Sequence, residues 1–339
     1  MSGRFHWLFR RSTRYSLMVV LSLVAALIIA IVLRKAAPPE AARLLPESDA
    51  IVYFNLKPLR LATHLDRNQV TRAPDYQRFV DATGIVPERD LNSVAFALHR
   101  MENPNGPNGP VGYSEVFEGS FDGERLANYL ESIAQSRESY AGHTIYTIRI
   151  SDGTVTRPLR IAQLGYDSIA ASNMPTVEQI HSILDRHRSA ASPFSGSSLL
   201  SERYRDVPLL SAAWGIGHIG LPFSDRGYIS LFGLQLPLPE DTTFVASLRY
   251  TGTLRLRIEE LSPTPEDAAR AAQNLSTLIG LLRSLQQIQP RNDNDAAVLK
   301  MFDSLRIDQR KDRAVITATV PTDLLQQLAT SATATSDTR

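Results

Sequence analysis

The sequence predicts an α+β protein: an N-terminal transmembrane helix followed by two related halves of mainly antiparallel sheet with packed helices. Three observations carry this reading. Residues 17–33 read LMVVLSLVAALIIAIVL, in which Ser22 is the sole polar side chain. Runs such as Phe244–Tyr250 and Leu254–Ile258 alternate apolar and polar residues with period two, as half-buried strands do. Helices with start signals and apolar stripes are interspersed among those strands.

The apolar run comes first. Taken as residues 16–34 it is about 28 Å long as a helix, close to the hydrocarbon thickness of a bilayer. It holds no ionisable group until Arg34. Trp7, Phe5, Phe9 and Tyr15 suit the headgroup layer, and four arginines precede the span. Fewer cations follow it (Arg34, Lys35 and then Arg43), so the positive-inside bias puts residues 1–15 in the cytoplasm and the rest outside. A cleaved signal fits less well, because the sites after Ala37, Ala41 and Ala42 have Lys35, Pro39 and Glu40 where a small residue is needed. The expected location is the inner membrane, single-pass, with a periplasmic or extracellular domain.

Residues 35–48, with Pro38, Pro39 and Pro46, read as a short tether. A first α+β half spans 49–195. Ala50–Leu56 is a buried strand, and Asp75–Thr83 a helix stopped by Gly84. Ser93–His99 and Glu115–Phe121 are strands joined by the Pro/Gly/Asn loop 102–113. Asp122 can cap a helix whose Leu126, Leu130 and Ile133 share one face, with Phe121 as its staple. Strands follow at His143–Ile150, Leu159–Leu164 and Ser168–Ser172. Thr176 and Gln179 have capping-box spacing before Val177, Ile180 and Leu184.

A second half spans 196–329. Pro208–Ile219 is apolar and glycine-rich. Joining Phe244–Tyr250 to Leu254–Ile258 through Thr251, Gly252 and Thr253 sets Leu248 opposite Leu256. Arg255, Arg257 and Glu259 are expected on the wet face. Thr264 and Pro265 open the longest helix, with Ala268, Ala271, Leu275, Leu278, Leu282 and Leu285 as its stripe. A short helix near Ala296–Met301, strands at Leu305–Asp308 and Arg313–Val320, and a last helix capped by Thr322 complete the half. Residues 330–339 read as a disordered tail. Leu45-Pro46-Glu47 and Leu238-Pro239-Glu240 each open a strand, a faint internal echo.

The Leu45-Pro46-Glu47 opening, the Pro193–Leu200 stretch PFSGSSLL leading into Val207–Leu210, and the sheet-and-long-helix ending resemble an uncharacterised bacterial family. It comprises membrane-anchored extracytoplasmic proteins of the domain-of-unknown-function kind, and the resemblance covers about 44–330. It implies an exported α+β fold and no assigned activity.

Composition narrows the chemistry. The 339 residues contain no cysteine, which excludes disulfides, thiolate metal sites and a thiol nucleophile. Beyond residue 35 there are 30 basic against 35 acidic residues, so a nucleic-acid partner is not expected. Gly215–Gly220 matches GxGxxG, but Pro222 and a loop-like sequence follow where a helix must begin, so the glycines read as a strand. Glu178, His181 and Asp185 share a helix face at i, i+3 and i+7; a solvated face explains that spacing as well as a metal does. No HExxH or GxSxG is present. No cofactor, metal or catalytic set is therefore expected. The favoured role is a binding, scaffolding or envelope-assembly module whose partners are the bilayer, through residues 16–34, and an envelope protein. The alternative is a membrane-tethered hydrolase using His143, His181 or His218.

Overall fold

A computed structural model describes residues 20–24, 37–63, 74–152, 155–189, 195–218, 228–231, 234–237, 242–250, 252–286, 300–301 and 303–321. The chain divides into two compact units, Met1–Pro38 and Pro39–Arg339. In the first, residues 20–24 are helical and their apolar side chains are exposed. Most of the expected span 16–34 lies outside the described residues, as do the expected helix after Thr322, the tail 330–339 and all but two residues of the 296–301 helix. Among the described residues no helix is long and apolar enough to cross a membrane.

The second unit is α+β, built on one large antiparallel sheet. Its strands are β1 (Ala50–Asn55), β2 (Leu91–Arg100), β3 (Val111–Gly119), β4 (Ser136–Tyr140), β5 (His143–Asp152), β6 (Val155–Gln163) and β7 (Ser168–Ser172). β8 (Ser211–His218), β11 (Thr243–Tyr250), β12 (Leu254–Leu261), β13 (Arg306–Arg310) and β14 (Arg313–Val320) complete it. β9 (Tyr228–Leu231) and β10 (Leu234–Pro237) pair separately. The twelve strands run in the order β13-β14-β12-β11-β8-β1-β2-β3-β7-β6-β5-β4. The sheet is thus continuous across residue 195, with β1 hydrogen-bonded to β8.

The helices are α1 (Glu40–Leu44), α2 (Leu56–Thr63), α3 (Pro74–Thr83), α4 (Pro87–Asp90), α5 (Gly123–Ile133), α6 (Glu178–Arg188), α7 (Ser198–Arg203) and α8 (Pro265–Gln286). A 3-10 turn, Tyr204–Asp206, follows α7. The main core lies between one sheet face and α1, α6 and α7. Alanines 95, 97, 162 and 170 on the strands leave room for Leu44, Leu45, Ile180, Ile183, Leu184 and Leu200. This core draws on both halves of the sequence. On the other face Ile85, Leu126 and Leu130 form a second cluster, and α8 lies against β13 and β14.

Several expectations hold in detail. The β11–β12 register places Leu248 opposite Leu256. Asp122 accepts the Arg125 N–H as the α5 cap, and Thr264 accepts from Asp267 N at the start of α8. Gly84, at φ +73°, ends α3; a Cβ there would stand 2.6 Å from Arg125 Nη1. Gly215 and Gly217 are strand residues, not a phosphate loop.

Three expectations need correction. Residues 40–45, assigned to the tether, already belong to the body, because α1 buries Ala41, Ala42, Leu44 and Leu45 in the core. Thr176 does not cap α6, which begins at Glu178 with no side-chain cap bond. Glu259, assigned to the wet face of β12, is 2% exposed. It is held there by Arg257 Nε at 2.6 Å and Arg313 Nη1 at 2.9 Å.

Candidate functional site

The face predicted from Glu178, His181 and Asp185 forms, and edge strand β4 docks against it. The His181 ring stacks on Tyr140 with centroids 3.7 Å apart and planes 6° apart. His181 Nε2 lies 2.9 Å from Glu138 Oε1, and the Tyr140 hydroxyl donates to Asp185 Oδ2 at 2.9 Å. A shallow cleft of about 470 Å³ beside it is lined by Glu178, His181, Ser182, Asp185, Arg186 and Ser189. The carboxylates are drawn to separate partners rather than to one point. Among the described residues no group of three His, Asp or Glu side chains can hold a metal.

His143 opens β5 on the neighbouring strand. Its Nδ1 lies 2.9 Å from the Gln163 carbonyl oxygen, which can only accept, so Nδ1 carries a proton and donates it there. His187 meets it edge to face at 5.5 Å. Burial, and then the His143 charge, hold His187 below the ordinary histidine value. A second open cleft of about 340 Å³ is lined by His143, Tyr146, Gln163 and Tyr166 among others. The third candidate, His218, ends β8 and touches Thr243 Oγ1 at 3.1 Å through Nδ1. β8 and β5 are six strands apart, roughly 29 Å at normal spacing. His143, His181 and His218 are therefore not one site.

Sequence reasoning missed the polar groups that the fold buries. His99 Nε2 lies 3.2 Å from Ser114 Oγ, which lies 3.0 Å from Ser172 Oγ. Both serines are fully buried. Burial pulls His99 from 6.5 down to about 4, so the ring is neutral at neutral pH. A histidine–serine pair out of reach of solvent meets no substrate; it satisfies two polar groups in the core. On the opposite face Glu115 stands among Phe96, Phe117 and Tyr113, and burial raises its carboxyl from 4.5 to about 7. Period two along β3 was the only signal for it: Ser114 and Val116 face one way, Glu115 and Phe117 the other.

Glu47 explains the motifs that carried the family resemblance. Its carboxylate accepts from Ser198 N at 2.9 Å, from Ser198 Oγ at 2.6 Å and from Arg186 Nη2 at 2.8 Å. Ser197 caps the same helix by accepting from Leu200 N. Leu45-Pro46-Glu47 and the Ser197–Leu200 stretch are thus two sides of one joint, where the incoming chain meets the second half.

No family model and no curated protein matches the chain. Among solved structures, crystal form I of TP0453 is similar to it with a TM-score of 0.43 and 12% identity, over 87% of this chain and 98% of that one. Crystal form III gives 0.44 and 10% over 88% and 99%, and crystal form IV gives 0.43 and 12% over 86% and 97%.

Proposed function

We propose that the protein is a single-pass inner-membrane protein, N-terminus in the cytoplasm, whose extracytoplasmic α+β body is a binding, scaffolding or envelope-assembly module. The observation that carries this is the uninterrupted apolar run 17–33 with arginines before it. The exposed apolar side chains of residues 20–24 support it. The clefts described above are shallow and line up side chains already engaged with one another, which favours binding over chemistry.

The halves 49–195 and 196–329 are read as related. In each, three antiparallel strands (β1-β2-β3 and β8-β11-β12) lead into a helix (α5 and α8). A later strand then returns beside the third, β7 on β3 and β14 on β12. This order equates β1 with β8 and β2 with β11. The Leu-Pro-Glu echo, which equates β1 with β11, is out of step with it.

Alkaline phosphatase fused after residue 60 should be active outside the membrane. An inactive fusion alongside an active cytoplasmic reporter reverses the topology. A tethered hydrolase is the second reading, favoured by the His181–Glu138 pair in an open cleft with Ser182 and Ser189. Ester, peptide and glycoside panels without turnover would remove it.

A further inference from the structure

One end of the central strands carries an apolar and basic tip that packing does not account for. Leu209 and Leu210, in the turn before β8, are 58% and 73% exposed, and Tyr250 at the end of β11 is 43% exposed. Leu210 holds a φ of +62°, a left-handed backbone that a leucine adopts only at a cost. Exposing a large apolar side chain from a strained backbone serves neither stability nor solubility.

Beside it, Arg249 and Arg255 are direct cross-strand neighbours, both exposed. Like charges directly opposite one another destabilise a sheet. Neither guanidinium has a hydrogen-bond or ion-pair partner among the described residues. Lys57, also exposed, opens α2 at the same end. Acids also stand at this end. Asp90, Glu118, Asp122 and Glu124 lie beside β2 and β3, three or more strands from β11, and Asp90 is paired with Arg89. Exposed Asp303 is nearer, next to Ser304, which bonds Thr319, the cross-strand partner of Arg255.

The chain also enters the body here. Ala41 N donates to Glu118 Oε1 at 2.9 Å. Glu118 pairs in register with Ser93, and Ser93 with Asn55, the last residue of β1. Ser211 and Tyr250 lie at that same end, because β8 runs antiparallel to β1 and β11 to β8. If residues 16–34 cross the bilayer, residues 35–38 reach at most about 14 Å beyond it.

We propose that this end of the body rests on anionic lipid headgroups of the membrane its own N-terminal span crosses. Leu209 and Leu210 enter the interfacial layer, Tyr250 lies at headgroup level, and Arg249 and Arg255 meet lipid phosphates. The proposal rests on the single-pass reading and names the surface that reading leaves open.

The absence of native cysteine makes the test direct. Full-length Leu210→Cys, carrying an environment-sensitive fluorophore, is reconstituted in phosphatidylcholine vesicles with and without phosphatidylglycerol, each containing a lipid-borne quencher. Asn105→Cys, at the other end of β2, is the control. Strong quenching at 210 in the anionic vesicles, weakened by salt and absent at 105, is the expected result. Arg249→Ala and Arg255→Ala should each lower the docked fraction about five-fold. Leu210→Gly, read from a label at Leu209→Cys, should raise the melting temperature while weakening the lipid contact. A purely structural tip would not give those opposite changes. Equal signals at 210 and 105 in protein that resists alkaline carbonate extraction overturn the docking surface and point to a protein partner instead. Quenching at 210 in protein that carbonate removes supports the surface and overturns the span.

Discussion

Arg313→Met tests how the second half is held over the sheet. Arg313, at the start of β14, donates through Nη1 to Glu259 at 2.9 Å and through Nη2 to Asp206 at 2.7 Å. Asp206 belongs to the 3-10 turn after α7 and is 107 residues away in sequence. The two carboxylates are 2% and 7% exposed in their side chains. Losing the guanidinium leaves them unequal. Glu259 keeps Arg257, whereas Asp206, whose Oδ2 has no hydrogen-bond partner among the described residues, keeps none of them. Removing one partner from a buried pair costs about 3–5 kcal/mol. The Arg257 bond places this case at the low end, about 3 kcal/mol. The assay is urea unfolding of residues 39–339, followed by the fluorescence of Trp214. That ring is buried against Tyr53 and Tyr204 and is the single tryptophan of this segment. Adding Asp206→Asn should restore part of the loss, since a neutral amide needs no counter-charge. A loss under about 1 kcal/mol, or no recovery in the double variant, would refute the reasoning.

Three further outcomes are expected. Glu115, raised from 4.5 to about 7, binds a proton in the folded state that the unfolded chain releases across that window. Its contribution therefore falls as pH rises from 4.5 through 7, and Glu115→Gln should stabilise at pH 8, by about 3 kcal/mol at most, with little effect at pH 5. His99, lowered from 6.5 to about 4, works in the opposite sense. The unfolded chain takes up a proton that the core refuses, so stability falls as pH drops from 6.5 to 4, and His99→Gln should flatten that limb of a pH–stability curve. Glu47→Ala should speed hydrogen exchange at the Ser198 amide while moving the unfolding midpoint by less than about 1 kcal/mol, because the carboxylate is largely solvated.

Local pattern was enough for much of the fold. Period two in Phe244–Tyr250 and Leu254–Ile258, together with a three-residue connection, specified the β11–β12 register, because an inward-facing residue can sit only opposite another. Asp122 and Thr264 signalled helix starts by the short-range bonding of their own side chains. β4 was not legible, since SRESY is an edge strand with no apolar face to alternate. The burial of Glu259 was not legible either. On pattern it is a wet-face acid, and its burial depends on Arg257, two residues back, together with Arg313, 54 residues on, which sequence spacing does not bring together. The same holds for Glu47 with Ser198, and for the tip at Leu210, whose meaning depends on which strand ends the topology gathers together. Sequence names His143, His181 and His218 as candidates but cannot show the five strands that lie between His143 and His218.

Cysteine mapping of the full-length chain in cells reads the single-pass, N-terminus-in topology itself. A membrane-impermeant maleimide is applied to Asn105→Cys, in the exposed β2–β3 loop, and to Ser2→Cys, before and after the membrane is broken. Modification of 105 is expected with the inner membrane intact, and of 2 only after lysis. Modification of 2 with 105 protected, or of both only after lysis, would contradict that topology.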